Sequence, residues 1–65
     1  MNVRVGDRVE VLDAFGVWRD ATADSEVEPG HKFRIVWVIV DGWPDDRMPW
    51  PVESVQLADD TKVEV

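Results

Sequence analysis

Two tryptophan-bearing segments joined through a Pro-Gly turn constrain this chain most. The first is Gly16-Val17-Trp18-Arg19-Asp20-Ala21-Thr22-Ala23, and the second runs from Phe33 through Ile35-Val36-Trp37-Val38-Ile39-Val40 to Asp41-Gly42-Trp43. In the second, Phe33, Ile35, Trp37 and Ile39 share one period-two face, while Val36, Val38 and Val40 share the other. Apolar side chains on both faces mark a central strand covered on each side. A buried helix is the competing reading. The β-branched and aromatic content, bounded by turn residues, decides for a strand. Trp37, set among β-branched neighbours, is expected in the core. The order of segments predicts a very small barrel of five short strands.

Around this centre the remaining elements follow from local chemistry. Arg8-Val9-Glu10-Val11 alternates after a Gly6-Asp7 turn and puts Val5, Val9 and Val11 on one face. Asp13-Ala14-Phe15-Gly16 reads as a loop, and residues 17–24 as the next strand. Ala21 and Ala23 form its inward set, because small side chains let strands curl in a narrow barrel. That alternation turns Trp18, Asp20 and Thr22 outward. Glu28-Pro29-Gly30-His31 suits a type II turn, with Gly30 supplying positive φ. After Asp41-Gly42, Trp43-Pro44-Asp45-Asp46 is a loop, and residues 47–50 are a short strand whose proline requires an edge position or a bulge. Pro51-Val52-Glu53-Ser54 fits a single helical turn before a last strand at Val55-Gln56-Leu57. Trp50, between two prolines, reads as a lid over the open barrel end. Residues 58–65 are either an added strand or a frayed tail.

Composition narrows the function classes. The 65 residues make one domain, 1–65, and the absence of cysteine excludes disulfides and thiolate metal sites. Four tryptophans and two phenylalanines must carry much of the burial. Fourteen acids against seven bases give a formal charge of −7, which repels phosphate and anionic membranes. The bases Arg4, Arg8, Arg19, Lys32, Arg34, Arg47 and Lys62 form no stripe, so nucleic acid is a poor partner. An acidic surface favours a basic partner, or serves solubility alone. The longest apolar run, residues 35–40, is far short of the roughly 20 residues that span a bilayer. Met1-Asn2-Val3-Arg4 shows no signal-peptide apolar region, and with no cysteine the expectation is a cytoplasmic protein, monomeric or weakly dimeric.

The layout of five short strands with a helical turn before the last is that of an SH3-like barrel, and the residues resemble its Tudor and agenet branch. The resemblance rests on Trp18 with Ala21 three residues on, on Val40-Asp41-Gly42-Trp43 closing an apolar strand, and on Val52-Glu53-Ser54-Val55-Gln56-Leu57. It covers roughly residues 6–57. Arg19 stands where the family often has a second aromatic, and Trp43 follows Gly42 where the family's aromatic precedes the glycine. The resemblance implies an aromatic cage that holds a methylated lysine or arginine by cation–π attraction. Trp18, Trp43 and Phe15 are its candidate walls, and Asp20, Asp41 and Asp45 its candidate acids.

Chemistry beyond binding has little support. His31 is the single histidine, and Asp45-Asp46 and Asp59-Asp60 lack the spacing of a calcium loop. Ser25 and Ser54 lack a glycine elbow, and there is no glycine-rich phosphate loop. The expectation is therefore a non-catalytic interaction module without cofactor or metal, docking a basic or cationic protein segment on aromatic loops. Two alternatives stay open: an acidic mimic of nucleic acid, and an assembly protein that pairs through a flat face or free edge. A nucleic-acid-binding barrel ranks below both.

Overall fold

The computed structural model describes residues 2–44 and 46–58. It is all-β: a curled antiparallel sheet that forms a half-barrel with the SH3-like order of elements. The strands are β1 (Arg8–Leu12), β2 (Trp18–Ala23), β3 (Glu28–Pro29), β4 (Arg34–Val40), β5 (Met48–Pro51) and β6 (Val55–Leu57), with one 3-10 turn, Val52–Ser54, before β6. The sheet order is β3-β4-β2-β1-β6, and β5 adds to β4. Beyond the five expected strands, the two-residue β3 pairs Glu28 with Ile35 and Pro29 with Arg34. The proposed tail strand at 58–65 lies, after Ala58, outside the described residues.

The interior is built from small side chains. Val3, Val9, Val11, Val36, Val38, Val40 and Val55 are buried together with Ala21 and Ala23. Register explains the alanines: Ala21 faces Val9 on one side and Val40 on the other, and Ala23 faces Val38. Strands that curl this tightly leave room beside a valine for a methyl group and little more.

That crowding overturns the expected place of Trp37. The valine face of β4 points into the core, whereas Ile35, Trp37 and Ile39 lie half-buried on the outer face. Trp37 is held there by polar and cationic contacts. Its Nε1 donates to Glu28 Oε1 at 3.2 Å, and the Arg47 guanidinium lies 4.4 Å from its ring centroid. Val5 is likewise not on the core face of β1. A turn at Val5-Gly6 breaks the alternation, leaving Val5 exposed, and Val3 fills the core instead.

The 28–31 segment is not a type II turn. Gly30 lacks positive φ, which among the described residues belongs to Gly6, Gly16 and Gly42. Glycine is needed at 30 for close approach, since a Cβ there would come within 2.3 Å of the Phe33 carbonyl oxygen. The chain reverses over residues 30–33, between β3 and β4.

A bulge between β2 and β3 is closed by a serine. Asp24 N–H donates to the Trp37 carbonyl at 2.7 Å. The Ser25 hydroxyl then takes the place of a strand carbonyl. It accepts from Trp37 N–H at 3.0 Å and donates to Glu26 O at 2.7 Å. Ser25 is the buried polar residue of the described core.

Candidate functional site: an aromatic corner at the loop end

The loop end of the sheet gathers the residues singled out above. Antiparallel register sets Leu12 opposite Trp18, and Asp41 N–H donates to the Asp20 carbonyl at 2.9 Å. The β1–β2 loop, the start of β2 and the β4–β5 loop therefore share one end of the half-barrel.

Asp13 builds the β1–β2 loop. Its Oδ1 accepts from Phe15 N–H at 2.8 Å and Val17 N–H at 3.0 Å, and its Oδ2 accepts from Arg19 Nε at 2.9 Å. These bonds, led by those from Val17 and Arg19, hold its carboxyl below the usual aspartate value. Gly16 supplies the positive φ that lets the loop close. Phe15 rides at the tip, 88% exposed.

Trp18 is exposed on the outer face of β2, as alternation required, and Asp20 lies exposed on the same strand. Asp41 is engaged by Arg8: Nη2 reaches Oδ2 at 2.6 Å and Nη1 reaches Oδ1 at 3.2 Å, while Nη1 also donates to Thr22 Oγ1 at 2.7 Å. Arg8 lowers the Asp41 carboxyl from its ordinary value, chiefly by this hydrogen bonding. Asp45 lies outside the described residues.

Trp43 finds its partner in Trp50. The ring centroids stand 6.1 Å apart with planes tilted by 50°. Trp50 is the fixed wall of this corner. It packs against the core, and its Nε1 donates to the Leu12 carbonyl at 3.0 Å. Trp43 is the open wall, 37% exposed beyond the Gly42 turn. The pairing of Trp43 with Trp50 was not evident from the residues. The residues show only that Trp50 is flanked by prolines at the open end of the barrel.

The half-barrel also carries a groove on the outer face of β4 and β5. It is a shallow, open groove of about 550 Å³ between Phe33, Ile35 and Trp37 on one side and Pro49 and Pro51 on the other, with the 30–33 reversal at one end. Assigning Trp37 to the core hid this surface in the sequence.

Among the described residues no group of His, Asp and Glu side chains could hold a metal ion, and no helix is long and apolar enough to cross a membrane. No family model, curated protein or solved structure matches this chain.

Proposed function

We propose that this chain is a non-catalytic interaction module that docks a cationic segment of a partner protein at its aromatic loop end. The observation that carries the reading is the Trp43–Trp50 corner. Two rings tilted by 50° at 6.1 Å let one cation lie within about 6 Å of both centroids, the reach of cation–π attraction. A methylated ammonium or a guanidinium suits such a corner, because its charge is spread and its hydration weak. Exposed Asp20 and Asp46 lie on elements that meet at this end, and the overall charge of −7 steers cations toward the surface. Phe15 and Trp18 extend the aromatic surface to a longer segment. The Tudor-like resemblance implies a cage walled by Trp18, Trp43 and Phe15; the corner proposed here keeps Trp43 and takes Trp50 as its second wall.

The test is an amide-correlation NMR titration that follows the indole N–H signals. The ligands are matched basic peptides with and without methylated lysine or arginine. Selective movement of the Trp43 and Trp50 indoles with the methylated peptides supports the corner. Trp43→Ala should then weaken binding at least tenfold while keeping a folded amide spectrum, since Trp43 lies outside the core. Equal responses to every basic peptide, fading with salt, would favour the charge-driven mimic instead.

A further inference from the structure

The groove lies on the outer face of β4 and β5, whereas Trp50 of the aromatic corner, paired with Val36 between the two groove prolines, packs toward the core, and the chemistry of the groove differs. Phe33, Ile35 and Trp37 follow one another at every second position. Extended geometry spaces such side chains by about 7 Å. Pro49 and Pro51 face them in register, Trp37 opposite Pro49 and Ile35 opposite Pro51. Phe33 is 51% exposed and Ile35 and Trp37 are half-buried. Apolar surface of this kind on a small soluble domain marks a contact site.

Three features choose the occupant. First, strand addition is blocked at this edge. Among the described residues β5 pairs only with β4, and a proline keeps its place in a strand when its missing N–H faces away from the ladder. Pro49 and Pro51 thereby remove two donors from the outer edge, so a partner must be read by its side chains. Second, a patch made of Phe33, Ile35, Trp37, Pro49 and Pro51 is far smaller than the roughly 800 Å² per partner of a stable protein–protein interface. It suits a short segment better than a second copy of the chain. Third, the charge beside it is not acidic in the way the rest of the molecule is. His31 and Lys32 line the groove at the 30–33 reversal, and Arg47 lies over Trp37 at the other end. Of the acids beside it, Asp24 is paired with Arg47 at 3.4 Å, while Glu28 accepts from the Trp37 indole and keeps its charge, which leaves Lys32 at the reversal as the cationic contact for an incoming acid. Among the described residues Lys32 makes no ion pair.

We infer that this groove is a second docking site, which takes an extended partner peptide bearing bulky apolar residues two apart and a carboxylate that reaches Lys32. Single-stranded nucleic acid fits less well, because aliphatic Ile35 and two prolines replace the stacked rings and cationic track that such ligands use.

Selection from a random-peptide display library against the intact chain tests this. Enriched peptides should combine alternating bulky apolar residues with Asp or Glu. Made synthetically, they should move the Trp37 indole signal and leave Trp43 in place. Phe33→Ser should weaken them at least tenfold, and Lys32→Glu should weaken them and shift the selection away from acidic sequences. Both positions are exposed, and a retained amide spectrum verifies that each variant is folded. The inference is overturned by a failed selection, or by selected peptides that perturb Trp43 or tolerate both variants. Concentration-dependent movement of Trp37 in the chain alone would replace the peptide by a second copy. Movement of Trp37 with an oligouridylate but no selected peptide would replace it by nucleic acid.

Discussion

Small polar side chains decide more of this structure than their size suggests, and Ser25 is the clearest case. Where β2 breaks before β3, backbone pairing with β4 would fail at Trp37, and the Ser25 hydroxyl restores it. Ser25→Ala removes the acceptor and leaves the Trp37 N–H without its partner, a cost of about 1–3 kcal/mol. Thermal unfolding should show a Tm lowered by on the order of 10 °C, given the steep dependence of Tm on stability in small domains. An unchanged Tm would mean that water replaces the hydroxyl. The sequence gives no hint of this role, because serine in a polar stretch looks the same whether or not it faces a strand. Asp13 is similar. Its loop was legible from Gly16 and the neighbouring turn residues, but not its grip on Phe15, Val17 and Arg19. Conversely, the inward alanines were legible because a period-two pattern with small residues on one face has few other meanings. Trp37 shows where such patterns run out. With apolar side chains on both faces of β4, periodicity separates the faces without saying which is inside. The narrow bore set by Ala21 and Ala23 gives the inside to the valines.

At the scale of elements, short connections fix register. The reversal over residues 30–33 joins β3 to β4, and its tightness depends on Gly30 lying against the Phe33 carbonyl. Gly30→Ala places a methyl group against backbone that cannot swing aside. The expected cost is about 1–3 kcal/mol, with lost hydrogen-exchange protection concentrated in the Glu28–Ile35 and Pro29–Arg34 pairing. Uniform loss over all strands would show instead that the turn is coupled to the whole sheet. A Pro-Gly pair marks a reversal whether glycine is needed for its φ or for its lack of a side chain, so only the structure separates the two. The β5 strand, the 3-10 turn and β6 were readable because each proline admits few positions. The Trp43–Trp50 corner was not, since it depends on how a loop beyond Gly42 folds back, which no local pattern encodes.

Across the whole molecule, an acidic chain with two depressed carboxyls has a stability tied to pH. The Asp13 and Asp41 carboxyls both titrate lower in the folded protein than ordinary aspartates do. Near pH 4 the unfolded chain therefore binds more protons at these sites than the folded one, and stability rises with pH there. Their contribution is fully present above the unfolded aspartate value of about 3.9. It is lost as pH falls through the lower folded values. Changes in net charge over the same range affect the total and would blur a single melting profile. Comparison with Asp13→Asn cancels most of that background. Asparagine keeps an oxygen for the Phe15 and Val17 N–H groups but gives Arg19 no charge to pair with. At neutral pH this variant should melt several degrees below the parent chain. The gap should narrow as pH falls below about 4 and close once pH has fallen through the parent's lowered Asp13 value. A gap that stays constant as pH falls well below the unfolded aspartate value of about 3.9 would show that hydrogen-bond geometry, not the carboxylate's charge, holds the β1–β2 loop and the exposed Phe15 at its tip.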